Sequence, residues 1–159
     1  MAAVRRATAE DAAFLWQVLA VAADWRADAR VRDVAEVMAD PALAHYVAGW
    51  PAPRDVGFVA DEDGPVGAAW WRFFTEQDPG YGFVDAATPE ISIGVTAGFR
   101  RRGLGTALLE VLIDEARQLG VPALSLSVET GNPARSLYQR LGFVTRARTG
   151  GSLTMTLDT

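Results

Sequence analysis

The chain has 159 residues, of which 50% are apolar and 22% are charged. That balance excludes an intrinsically disordered chain and is enough for one core of ordinary domain size, so a single domain over residues 1–159 is expected. The formal net charge of −5 argues against a nucleic-acid partner, which normally demands a basic excess. Cysteine is absent, which rules out disulfides, thiolate metal ligands and an acyl-cysteine intermediate, and no metal is expected. No apolar run approaches the length of a membrane span. Met1-Ala2-Ala3-Val4-Arg5-Arg6 has no apolar stretch after its arginines, so no secretory leader is expected and the cytoplasm is the expected location.

In chain order, Ala3 to Ala7 alternates weakly and predicts a short strand. Thr8 and Asp11 have the spacing of a capping box, with Asp in place of the preferred Glu or Gln. Phe14, Leu15, Val18, Leu19 and Ala22 follow at helical spacing, and a second helix is predicted over Val31 to Met38. Pro41 ends or restarts that helix, and Trp50-Pro51-Ala52-Pro53-Arg54 reads as a loop. Val56 to Ala60 and Val66 to Phe74 are predicted strands joined by a turn at Asp61-Glu62-Asp63-Gly64. After a loop with Asp78, Pro79, Gly80 and Gly82, Pro89 to Val95 is predicted as a further strand.

Gly103 to Leu119 is the clearest helix. Leu104, Leu108, Val111, Leu112 and Leu119 form its apolar stripe, and Gly120 suits its C-terminal cap. Strands are predicted over Ala123 to Val128, Phe143 to Ala147 and Ser152 to Leu157. A helix with proline at its start is predicted over Pro133 to Leu141. Strands and helices in this mixed order imply an α/β or α+β architecture with one central sheet.

The loop Arg100-Arg101-Arg102-Gly103-Leu104-Gly105 runs from a strand into that amphipathic helix. Glycine lets the backbone turn tightly and approach a ligand without a Cβ in the way. The first N–H groups of a helix have no partner inside it, and the helix dipole adds partial positive charge there. Phosphate or pyrophosphate suits such a place, with three arginines beside it. A nucleotide P-loop is excluded because Thr106-Ala107 follows Gly105 instead of Lys-Ser/Thr. A dinucleotide fingerprint is excluded because Leu108 stands where a third small residue is needed. Two readings stay open on the residues alone: an anion site, or a tight strand-to-helix connection with solvated arginines.

Pro89-Glu90-Ile91-Ser92-Ile93-Gly94-Val95 followed by Arg100-Arg101-Arg102-Gly103-Leu104-Gly105 resembles motif A of the GNAT N-acetyltransferases. Asn132-Pro133-Ala134-Arg135-Ser136-Leu137-Tyr138 followed by Leu141-Gly142-Phe143 is similar to the family's motif B. The matches cover about the second half of the chain, Glu90 to Phe143; the first half fits only in its order of elements. The resemblance implies a GNAT-like fold whose central sheet is mixed, mostly antiparallel and flanked by helices. Two of its strands, ending near Val95 and beginning near Ala123, would splay to admit the pantetheine arm of acetyl-CoA. It implies that the backbone from Arg101 to Thr106 holds the pyrophosphate, with Arg100, Arg101 and Arg102 beside it. Ile93 and Val95 would pair with the pantetheine amides, Asn132 would touch the cofactor, and Arg135 would reach toward the adenosine phosphates. Tyr138 would protonate the leaving thiolate. Dimers are common in the family, so a homodimer is compatible with the resemblance.

Acetyl transfer to an amine needs a neutral nucleophile and so a proton acceptor. Without cysteine, direct attack in a ternary complex is the natural route. In the arrangement the resemblance implies, a backbone N–H near Val95 would stabilise the thioester oxygen. Glu90, at the start of the motif A strand, is the candidate base, acting directly or through water; the competing reading is a solvated strand-end carboxylate. For Tyr138 the competing reading is a helix tyrosine packed on the core. His45, the only histidine, lies outside both motifs and reads as structural. Trp70-Trp71-Arg72-Phe73-Phe74 reads as core more than as an acceptor wall. The resemblance places Trp25 and Trp50 on the acceptor side. Asp78 and Asp85 are solvated loop carboxylates or recognise a cationic acceptor. The expected activity is acetyl transfer from acetyl-CoA to a primary amine. A non-catalytic acyl-CoA-binding domain and a protein N-terminal or lysine acetyltransferase are the alternatives.

Overall fold

In a computed structural model of the chain, residues 2–23 and 32–159 are described. The predicted start of the second helix at Val31, and Trp25, lie outside them. Strands are β1 (Ala3–Arg6), β2 (Val56–Asp61), β3 (Pro65–Arg72), β4 (Glu90–Val95), β5 (Ala123–Glu129), β6 (Val144–Thr149) and β7 (Ser152–Asp158). Helices are α1 (Ala12–Ala23), α2 (Val34–Met38), α3 (Pro41–Ala44), α4 (Leu104–Leu119) and α5 (Ala134–Arg140). The hydrogen-bonded strand order is β1-β2-β3-β4-β5-β7-β6, a mixed, mostly antiparallel sheet as expected. The chain divides into two compact units, Met1–Arg72 with Ser92–Leu112, and Phe73–Ile91 with Ile113–Thr159.

In the first unit the capping box forms as predicted. The Thr8 side chain accepts from the Glu10 N–H at 3.3 Å, and Asp11 Oδ2 accepts from the Thr8 N–H at 2.7 Å. These bonds satisfy N–H groups that a helix start leaves over. Arg5 clamps the same carboxylate through both guanidinium nitrogens at 2.9 and 2.8 Å, tying β1 to the entry of α1. That bond from Arg5 is the main reason the Asp11 carboxyl sits below its ordinary value of 3.8. Leu15, Val18 and Leu19 make the buried stripe of α1. α1 crosses the sheet where β4 has Gly94: a Cβ there would lie 2.8 Å from Val18 Cγ1. On the other face, a Cβ at Gly67 would lie 3.2 Å from Val95 Cγ2 and 3.4 Å from Leu108 Cδ1 of α4.

β3 is shorter than predicted. Its ladder ends at Arg72, and Phe73 and Phe74 belong to the segment that leaves the sheet. Alternation of apolar residues marks a strand but not the place where its hydrogen bonding stops. Trp70 and Trp71 are fully buried, and each indole satisfies its N–H on a backbone carbonyl, of Tyr46 at 2.9 Å and of Arg54 at 3.0 Å. Arg72 is buried with them. Its guanidinium donates to Asp55 Oδ2 at 3.0 Å and to the carbonyls of His45 and Ala48 at 3.0 and 2.6 Å. Pro41 restarts the helix after α2, with Asp40 accepting from the Ala42 N–H at 3.0 Å.

In the second unit, β5, β7 and β6 form an antiparallel ladder, and β5 pairs in parallel with the start of β4 at Glu90↔Ser125. The registers Leu124↔Leu157, Leu126↔Met155 and Val128↔Leu153 put the apolar residues on one face, and Ser125↔Thr156 and Ser127↔Thr154 put polar ones on the other. α5 and the turn after it cover the apolar face, where the Gly142 backbone comes within 3.1 Å of Leu157 Cδ1, measured from an added Cβ. β6 is exposed along its whole length and has a bulge between Thr145 and Ala147. The buried stripe of α4 is Leu108, Leu109, Leu112, Ile113 and Ala116. The predicted stripe member Leu119 is exposed at the helix end.

Candidate functional site

The predicted phosphate loop lies in the first unit, between β4 and α4. Ala97–Phe99 makes a single 3₁₀ turn, and the chain then passes Arg101 at φ 62° and Gly103 at φ 78°. Glycine takes that conformation freely. A non-glycine residue held there costs about 1–3 kcal/mol, the kind of strain that clusters at functional loops. The first helical bond of α4 runs from the Ala107 N–H to the Gly103 carbonyl at 3.1 Å. The N–H groups of Leu104, Gly105 and Thr106 therefore have no acceptor inside the helix. Arg100 and Arg101 are exposed. Arg100 Nε donates to the Val95 carbonyl at 3.3 Å. Arg102 is held back, paired with Glu62 at 3.3 Å and lying over the Phe99 ring at 5.2 Å. The donors, the left-handed turns and the adjacent cations fit a pyrophosphate. Ile93 and Val95 are half-buried on β4.

Glu90 and Tyr138 lie in the second unit. Glu90 is 3% exposed, so it is not a solvated strand-end carboxylate. Its Oε1 accepts from the Gly82 N–H at 3.0 Å. Gly82 itself sits against β5, where an added Cβ would be 2.6 Å from the Leu126 carbonyl carbon and 2.8 Å from the Ser127 nitrogen. Only glycine lets the loop close to that distance. Gly82 and Ser125 escaped sequence reasoning. The signal available was the alternation of Ser125 and Ser127 with Leu124, Leu126 and Val128, which marks a polar strand face.

Tyr138 is buried at 7% exposure and meets Phe143 edge to face, ring centroids 6.1 Å apart. Burial pushes its phenol up to about 12, so it stays protonated throughout the neutral range. Asn132 Oδ1 accepts from the Ala134 N–H at 2.9 Å and opens α5. Arg135 is half-buried, and its Nε finds no protein acceptor among the described residues. Trp50 is buried and donates to the Thr8 carbonyl at 3.1 Å. His45 is half-buried and packs edge to face on Tyr46 at 4.7 Å. Asp78 and Asp85 are exposed, and Asp85 accepts from the Ala87 N–H at 2.9 Å. Among the described residues no group of three or more His, Asp or Glu side chains is arranged to hold a metal, and no helix is long and apolar enough to cross a membrane.

Residues 15–143 match the Acetyltransferase (GNAT) family, and the chain belongs to that family. It is 51% identical over 53 residues to the ribosomal protein bS18-alanine N-acetyltransferase of Salmonella typhimurium, covering 33% of this chain and 36% of that protein. It is 38% identical over 97 residues to the mycothiol acetyltransferase of Beutenbergia cavernae, covering 59% of this chain and 30% of that one. The matches thus span about a third of the length of these curated relatives. Among solved structures, yncA of Salmonella typhimurium, determined with its cofactor acetyl-CoA, is similar at a TM-score of 0.71 and 26% identity over 99% of this chain and 94% of that one. The ribosomal-protein-alanine N-acetyltransferase of Brucella melitensis shares the fold at a TM-score of 0.71 and 24% identity, covering 99% of each chain.

Proposed function

We propose that the chain, acting as one acetyltransferase domain, moves the acetyl group of acetyl-CoA to a primary amine by direct attack. The observation that supports this reading best is the start of α4, where Leu104, Gly105 and Thr106 offer backbone donors that no helical carbonyl accepts. In this reading the backbone from Arg101 to Thr106 binds the pyrophosphate, and Arg100 and Arg101 add positive charge. Ile93 and Val95 pair with the pantetheine, Asn132 touches the cofactor, and Arg135 takes an adenosine phosphate.

Glu90 accepts a proton from the attacking amine as the N–C bond forms and the C–S bond breaks. The chain has no cysteine to hold the acyl group, which favours this single displacement. Tyr138 faces the departing sulfur. A thiol of ordinary acidity ionises near ~8.5, so a phenol at about 12 does not give up its proton outright. Tyr138 instead donates a hydrogen bond that stabilises the thiolate as its charge develops, and water completes the protonation after release.

A protein amino terminus is the second reading of the acceptor, favoured by the relatives named for alanine of a ribosomal protein. One acceptor panel separates the possibilities: spermidine, an aminoglycoside, free amino acids, lysine amide and an alanine-initiated peptide, followed by thiol release from acetyl-CoA. Amine-dependent release by any of them supports the enzyme. Saturable acetyl-CoA binding with no release from the whole panel points to a non-catalytic binding domain. Gly105→Glu sets a carboxylate among the pyrophosphate donors and is expected to abolish acetyl-CoA binding. Tight binding by that folded variant would remove the loop from the site.

A further inference from the structure

We propose that the Ser125 hydroxyl and the Glu90 carboxylate hold one water molecule between them, and that Ser125 is the positioning residue for the proton transfer from the amine. The inference rests on the reading of Glu90 as base. Glu90 and Ser125 are direct partners in the parallel pairing of β4 with β5. Their side chains therefore leave the same face of the sheet, about 4.8 Å apart at the backbone. Ser125 is 0% exposed, and its Oγ has no hydrogen-bonding partner among the described residues. Buried hydroxyls are rarely left so; they bond to protein or to ordered water.

The neighbours narrow the choice. Across β5 from Glu90, the partner of Ser125 is Thr156, whose Oγ1 already accepts from Arg146 Nε at 2.9 Å. On the other side, the Gly82 N–H occupies one site on Glu90 Oε1. An ionised carboxylate offers about four acceptor sites and can take several donors at once. A serine hydroxyl both donates and accepts, which lets it hold that water in either orientation. In the transfer the water takes the amine proton and passes one of its own to Glu90, so it is regenerated. The proton rests on the carboxyl group until it exchanges with solvent after the amide product leaves.

The test compares Ser125→Ala, Ser125→Cys, Glu90→Gln and the Ser125→Ala/Glu90→Gln double variant, using the fastest acceptor of the panel. For Ser125→Ala, kcat is expected to fall on the order of tenfold, while the amine KM and the calorimetric Kd for acetyl-CoA stay within about twofold. Ser125→Cys keeps the volume but bonds weakly through sulfur, and is expected to lose as much. In the Glu90→Gln background Ser125→Ala is expected to cost nothing further. A crystal structure is expected to show a water about 2.6–3.2 Å from both Ser125 Oγ and a Glu90 oxygen. Wild-type kcat in Ser125→Ala, full kcat in Ser125→Cys, an undiminished loss in the Glu90→Gln background, or a dry gap in the crystal would each overturn the inference and leave Glu90 as base untouched. Wild-type kcat in Glu90→Gln would overturn the base reading itself, and the inference with it.

Discussion

Gly82→Ala replaces one hydrogen by a methyl group where the loop lies close against β5 in the second unit. The new Cβ would stand 2.6 Å from the Leu126 carbonyl carbon, 2.8 Å from its oxygen and 2.8 Å from the Ser127 nitrogen. Favourable separations for such atoms are about 3.5–4.0 Å, so something must move by about an ångström. β5 cannot retreat, because Leu126 and Ser127 are paired with Met155 and Thr154 of β7. The loop must lift instead, and the 3.0 Å bond from the Gly82 N–H to Glu90 lengthens. Forcing a methyl into a packed site costs about 1–3 kcal/mol, and losing a hydrogen bond to a charged group costs about 1.5–3 kcal/mol. Lifting relieves the clash while sacrificing the bond, so the two do not add in full, and a loss of about 2–3 kcal/mol is expected. For a chain of this length that lowers the melting temperature by roughly 5–10 °C. Gly98→Ala is the control, since nothing lies within 4 Å of its Cβ. Urea unfolding of both variants gives the comparison. A Gly82→Ala variant within about 0.5 kcal/mol of the parent would refute the clamp, whatever its activity.

Tyr138→Phe is expected to lower kcat by about a hundredfold while leaving the acetyl-CoA Kd within about twofold; unchanged turnover would take Tyr138 out of the reaction. Because burial holds the phenol at about 12, no fall in rate attributable to its ionisation is expected up to about pH 10, which a pH–rate profile of the parent against Tyr138→Phe measures. Arg72→Met strands a buried Asp55 and two carbonyls, and is expected to cost about 3–5 kcal/mol in urea unfolding. Adding Asp55→Asn should recover part of that loss. Asp11 titrates below its ordinary 3.8 in the folded chain, chiefly through its bond from Arg5. Its stabilisation is therefore whole above pH 3.8 and is lost as the pH falls through the lower folded value. Asp11→Asn is expected to flatten the acid dependence of the thermal midpoint in that window.

Features written in local chemistry were legible from the residues. Thr8 and Asp11 marked a helix entry, Gly103 and Gly120 bracketed α4, and Asn132 to Phe143 marked α5 and the turn beyond it. Where the chain folds back on itself, local pattern said less. For Glu90 a solvated strand end stayed open beside the reading as base, because the group that covers it, Gly82, owes its place to contact with β5. Arg72 and Asp55 lie 17 residues apart and meet only through the β2–β3 hairpin, and nothing around either residue distinguishes it from a surface charge. Ser125 belongs to a polar alternation on β5 that gave no reason to single it out. Its isolation depends on Glu90 and Thr156 standing on either side, which is a matter of register between three strands. Trp70 and Trp71 were read as core, and their burial agrees. Their indole bonds to the carbonyls of Tyr46 and Arg54 depend on loop paths that periodicity does not describe.

The bulge in β6 bears on how copies of this chain meet. Arg146 is the residue without a register partner, between Thr145 opposite Met155 and Ala147 opposite Thr154, and it turns its guanidinium onto Thr156. Arg148 stands two residues further along the same exposed strand. A bare outer strand is an invitation to join sheets end to end, and a kink carrying positive charge withdraws it. Two molecules laid edge to edge here would oppose arginine to arginine across a distorted ladder. Any homodimer is therefore expected to form away from the β6 edge.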